Sequence, residues 1–155
     1  MLKLRGQIRV RGMTLIELAI TLVIVALLVA AAVPSWQHQV HRTRRSDAIT
    51  TLAQLQQAQE RWRSQRPVYA SGLGQDGLGL PAVSPAGHYD VGTSVQPDTA
   101  HRSYRVTATA RGAQAGDTPC RWLALDVDAG QLHHRSGPDA QLANTAAQNR
   151  QCWKS

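Results

Sequence analysis

Phenylalanine is absent from this chain, and tryptophan and tyrosine supply few other large rings. Beyond the N-terminal third the residues are rich in Ala, Gln, Thr and Gly, so any core is thin and gains from a covalent staple. Cysteine is nearly absent too: only Cys120 and Cys152 occur. A single pair excludes a disulfide-dense scaffold and a four-cysteine zinc site. It reads as one structural disulfide made in an oxidising compartment, with two unrelated buried thiols as the alternative. Acidic residues are scarce, 10 against 17 Lys and Arg, which gives a formal charge of +7 and a pI near 10.4. Nucleic acid and anionic membrane surfaces are the partners such a balance suggests. Lys3, Arg5, Arg9 and Arg11 all lie at the N-terminus, however, and without these four the side-chain balance is 13 − 10, or +3.

Catalytic signatures are also missing. No nucleophile motif, P-loop or metal-spaced Cys/His set occurs, so no enzyme, cofactor or metal site is expected. Gly72-Leu73-Gly74-Gln75-Asp76-Gly77 fits the spacing G-x-G-x-x-G, yet that fingerprint needs a preceding strand and a following helix. Here a helical pattern precedes it, and Gly79, Pro81 and Pro85 follow. Asp126-Val127-Asp128 lacks the glycine and terminal glutamate of a calcium loop and reads as solvated strand-end acids. His133 and His134, adjacent in a strand, face opposite sides and cannot share a metal.

Long apolar runs are limited to one. Residues 13–36 read MTLIELAITLVIVALLVAAAVPSW, with Glu17 as the one charge. At about 1.5 Å per residue this helix is long enough to cross a bilayer. Basic residues before it place the N-terminus in the cytoplasm and the remainder outside. A secretory signal cut near Ala30 to Ala32, or a generic anchor, leaves Glu17 unexplained, because a carboxylate in an apolar helix is costly.

The octet Arg11-Gly12-Met13-Thr14-Leu15-Ile16-Glu17-Leu18 followed by an uncharged helix resembles the start of the type IV pilins and pseudopilins. The resemblance implies cleavage by prepilin peptidase between Gly12 and Met13 and N-methylation of Met13. Glu17 then pairs with the Met13 amine of a neighbouring subunit and sets the stagger, or with its own chain's amine four residues away. Pro34 falls where many pilins have a kinking proline, so a bend or local melting is expected over Ala30 to Pro34.

Beyond Pro34 the pattern turns amphipathic. Ala48, Leu52, Leu55, Gln59 and Trp62 form a stripe, and Arg45, Asp47, Gln54, Glu60 and Arg61 lie off it. The helix should stop near Gln65, ahead of Pro67. Strands are expected at His88 to Ser94, Tyr104 to Ala110, Trp122 to Val127 and, more weakly, Gln131 to Arg135. The run Cys120 to Asp126 with Gly130 and the closing Cys152-Trp153 resembles the end of PilE-like minor pilins, where two cysteines bound a surface region.

These readings predict an α+β type IV pilin fold, a long N-terminal helix on an antiparallel sheet of about four strands. The divisions are a leader over 1–12, an assembly helix over 13–36, its amphipathic continuation over 37–66, and a loop-plus-sheet region over 67–155 containing the 120–152 disulfide loop. The expected function is a structural, minor subunit of a pilus, supporting assembly, adhesion or twitching motility. Its partners are other pilin subunits, the peptidase and methyltransferase, and the inner membrane before export to the extracellular filament. The alternatives are a DNA-binding pilin for uptake, with Arg42, Arg44 and Arg45 as contacts and Arg61, Arg63 and Arg66 further along, or a secretion pseudopilin.

Overall fold

The computed structural model describes residues 13–154, with the side chains of residues 31–35 left aside. Gly12 and the expected leader over 1–12 therefore lie outside the described residues, as does the side chain of Pro34. The chain divides into two units, Met1–Gln37 and His38–Ser155.

One helix, α1 (Leu15–Arg63), contributes to both units. Thr14 starts it: its Oγ1 accepts the Glu17 backbone N–H at 3.3 Å, satisfying one of the free donors of the first turn. In the first unit the helix exposes nearly all its apolar side chains, Leu15 by 87% and Leu27 by 67%. Such a surface needs lipid or another protein chain to cover it. Among the described residues no helix is long and apolar enough to cross a membrane. The expected span, 13–36, includes 31–35 and so exceeds the described stretch. The local melting expected before Pro34 is not found, since the helical backbone is continuous there. A proline removes only its own hydrogen bond, and the helical turns on either side persist.

In the second unit four antiparallel strands form a meander: β1 (Tyr89–Ser94), β2 (Ser103–Ala110), β3 (Trp122–Asp128) and β4 (Gln131–Gly137). Strict alternation in β2 buries Tyr104, Val106, Ala108 and Ala110 and leaves Ser103, Arg105, Thr107 and Thr109 on the other face. The buried face, with Leu123, Leu125 and Val127 of β3, packs on Ala48, Leu52 and Leu55 of α1. Gln59 is also buried and fully partnered, donating to Ala70 O and Thr93 Oγ1 at 2.7 Å each and accepting from Ala70 N at 2.9 Å. That side chain fixes the connection leaving the helix. Ala129 and Gly130 make the tight β3–β4 turn with positive φ of 49° and 82°.

Within the α1–β1 connection a Cβ at Gly77 would stand 2.1 Å from Gly72 O. The glycine spacing therefore serves a close approach of the loop to itself, with Leu78 N donating to Gly72 O at 3.1 Å. This accounts for the G-x-G-x-x-G pattern without a phosphate.

The chain after β4 contains a short helix that periodicity missed, α2 (Ala146–Cys152), opened by a capping box between Thr145 and Gln148. Cys120 and Cys152 are bonded, tying α2 back to the turn before β3. The alternative of two free thiols is thereby closed.

Candidate functional site

Two clusters of charge stand out in the second unit, one buried and one on the surface. The buried one corrects the reading of Arg45. Counting back three from Ala48 puts residue 45 on the same face as the apolar stripe, and Arg45 is buried there. Its Nε and Nη2 donate to Asp117 at 2.6 and 2.7 Å, and its Nη1 donates to Gln151 O at 3.1 Å. Arg45 is therefore a structural tie and is withdrawn as a surface contact. Gln114 completes the network, donating to Tyr89 Oη at 3.0 Å and bonding His41 Nδ1 through its oxygen at 3.0 Å. Burial, partly offset by the Gln114 bond, pushes the Tyr89 phenol up to about 12. Arg42 is exposed and Arg44 half-buried.

The surface cluster begins where α1 ends. Arg66 sits over the Trp62 ring, its guanidinium carbon 3.6 Å from the ring centroid, and Arg63 stands 5.8 Å over Tyr69. Arg63 donates to Arg66 O at 2.9 Å and, through Nη2, to His101 O at 3.1 Å in the β1–β2 loop. Tyr69 packs against Tyr104 with centroids 4.5 Å apart. The Tyr104 hydroxyl donates to Glu60 at 2.9 Å, and burial together with that carboxylate raises its pKa well above the usual phenol range.

Past His101 the loop leads to a cavity of about 290 Å³ lined by Thr99, Arg102, Ser103, Arg105, Asp126 and Asp128 among others. Strand register then brings together what the sequence separates. Arg105 on β2 lies opposite Asp126 on β3 and grips it at 2.5 and 2.8 Å. Arg135 on β4 donates to the same carboxylate at 2.8 Å. Asp126 is thus a shared, half-buried acceptor and not a solvated strand-end acid. Burial alone would raise its pKa, but the bonds and charges of Arg105 and Arg135 outweigh that and hold it below the ordinary carboxylate value. The stability it lends is present at neutral pH and fades only on acidification through that lowered value. Arg102 and Asp128 are a looser pair at 3.7 Å, both more than half exposed.

Along this tract Arg63, Arg66, Arg102, Arg105 and Arg135 stand with Glu60, Asp98, Asp126 and Asp128, 5 − 4, a surplus of +1, and Arg63 and Arg66 have no carboxylate partner among the described residues. Guanidiniums beside aromatic rings and hydroxyls can hold phosphates and stack planar groups. Arg61, Arg63 and Arg66 were legible as a basic run at and just past the expected helix end, whereas Arg102, Arg105 and Arg135 were not. For Arg105 the outward position in the alternating strand β2 was the available signal; Arg102 lies in the loop before β2, and β4 is exposed from Gln131 to Arg135 without alternation.

Met13 and Glu17 are exposed at the start of α1. Thr14 and Glu17 have the T-x-x-E spacing of a capping box, a signal overlooked in the octet.

An apolar helix that turns amphipathic and packs its second half on a four-stranded antiparallel meander, with a disulfide-closed C-terminus, defines a type IV pilin-like subunit. The profile of the prokaryotic N-terminal methylation motif matches residues 8–33. The chain belongs to the family described as type IV minor pilin ComP, DNA uptake sequence receptor, whose profile matches residues 34–124. That match covers more than half of the chain, from the late apolar segment into β3. A family of minor pilins is not one of enzymes, in keeping with the lack of catalytic signatures. No curated relative matches the chain in sequence.

Proposed function

We propose that this chain is a DNA-binding minor pilin that captures DNA for uptake, in preference to a purely structural pilus subunit. The match of residues 34–124 to a DNA uptake sequence receptor family carries the reading, and the basic tract lying largely within that span supports it. Arg102, exposed and only loosely paired with Asp128, can release its carboxylate to take a phosphate. The detergent-solubilised protein is expected to bind duplex DNA, more weakly as salt rises, because each phosphate neutralised releases counterions. Arg102→Ala should lower the slope of log affinity against log salt by about one. Fluorescence anisotropy with labelled duplexes measures both. Binding that ignores salt, or an Arg102→Ala slope equal to the wild type, would overturn the assignment of the tract. Total failure to bind DNA would return the chain to a structural role.

The N-terminal segment supports a filament subunit that starts in the inner membrane and is cut between Gly12 and Met13, with Met13 methylated. Its partners are then prepilin peptidase and other pilin subunits. Glu17 sets the register by pairing with a neighbour's amine, removing the cost of a lone charge in an apolar bundle. Mass spectrometry of sheared filaments should find a methylated Met13 terminus; a terminus near Ser35 would point to an ordinary secretory signal. Glu17→Val should insert normally yet be lost from the filament fraction, and wild-type incorporation would remove its register role.

A further inference from the structure

The Trp62–Arg66 stack at the end of α1 has features that phosphate binding does not use. The Arg66 guanidinium carbon lies 3.6 Å from the indole centroid, and Arg66 is exposed, so the side of this planar cation turned away from the ring is open to solvent. The Arg66 backbone is also held in place, since its carbonyl accepts from Arg63, which itself reaches across to His101 O. The Trp62 indole N–H is buried without an acceptor among the described residues. Packing and the Arg66 stack, not a hydrogen bond, therefore position the ring. Beside it Arg63, tied to Arg66 O and His101 O and lying over Tyr69, is a cation suited to a neighbouring phosphate.

We infer that this stack is a platform for an unpaired nucleobase, so that the site takes strand ends, overhangs or single strands in addition to duplex backbone. This rests on the DNA-binding reading above and deepens it. A base in a duplex has both faces covered by its neighbours, whereas an unpaired base offers a free face. Arg66, already stacked on Trp62, presents a partner for that face. Stacking tolerates any base, so the platform adds affinity without reading sequence.

The test uses the detergent-solubilised full chain and two DNAs: a duplex with 2-aminopurine in a 3′ overhang, and a blunt duplex with 2-aminopurine at a central paired position. Wild-type protein should alter the overhang fluorescence and leave the paired probe unchanged. Arg66→Lys keeps the charge and loses the planar face. It should abolish the overhang signal and weaken overhang binding by about tenfold, with a much smaller effect on the blunt duplex. Trp62→Leu should act likewise, and Arg66→Lys, at an exposed position, guards against a mere folding defect. An overhang signal unchanged in Arg66→Lys, or equal losses on both DNAs, would show Arg66 to be a simple charge contact and overturn the platform. Duplex binding with no overhang signal refutes the platform alone, and no binding to either DNA removes the DNA reading with it.

Discussion

Asp117→Ala is expected to destabilise the second unit by about 3–5 kcal/mol, because it leaves the Arg45 guanidinium buried without its anion. Arg45 lies one helical step before the apolar face that packs on the sheet, and Asp117 takes two of its donors. The Arg45 bond to Gln151 O cannot replace a counter-charge, and Gln114 would lose its own contact to Asp117 at 3.2 Å. Urea unfolding followed by tryptophan fluorescence measures the loss. The double variant Arg45→Met/Asp117→Leu should recover much of it, since a buried pair replaced by apolar residues is often neutral. A shift in Asp117→Ala no larger than that of a surface substitution would show that the pair is solvated and that the network does not hold the helix to the sheet. Because Arg45 is structural, Arg45→Gln should lower stability while leaving the salt slope of DNA binding unchanged.

What could be read from the residues alone follows the range of each interaction. The helix stripe and the strands were legible because burial repeats at fixed spacings; the expected Trp122 to Val127, for instance, is β3, Trp122–Asp128. Arg45, expected off the stripe, fits its phase, and an arginine is buried on an apolar face only where a partner meets it. Its partner lies 72 residues away in a stretch without periodicity, so nothing local announced the pair. The helix α2 escaped for another reason. Ala-Ala-Gln-Asn-Arg-Gln has no apolar face, and only the Thr145/Gln148 cap marked its start. The surface tract was half visible. Arg61, Arg63 and Arg66 follow one another along the chain, whereas Arg105 and Arg135 meet only through β3, a register that no sequence pattern fixes.

The double variant Cys120→Ser/Cys152→Ser should lower stability by roughly 3–4 kcal/mol on the chain-entropy account, given a sequence separation of 32 residues. That is a large share of what a small domain has. The structure adds where the effect would be felt. The segment after β4 is less bare than its composition suggests, since Leu142 is buried and Asn144 donates to Pro119 O at 2.7 Å. It also covers β4: Asn149 Nδ2 donates to His134 O at 2.6 Å, Trp153 Nε1 to Arg135 O at 3.1 Å, and Asn144 N to Ser136 O at 3.2 Å. These donors occupy carbonyls along a terminal strand of the sheet, where open backbone invites pairing with other chains. Without the disulfide, α2 is a seven-residue helix, too short to persist unsupported. Arg150 is exposed but helical, so trypsin reaches it only when α2 opens. Limited trypsin digestion of the full chain should therefore cut at Arg150 first in the variant and spare it longest in the oxidised protein, while the variant also self-associates through β4. Equal cleavage rates and equal urea midpoints would mean that the hydrogen bonds to β4 hold the segment without the disulfide.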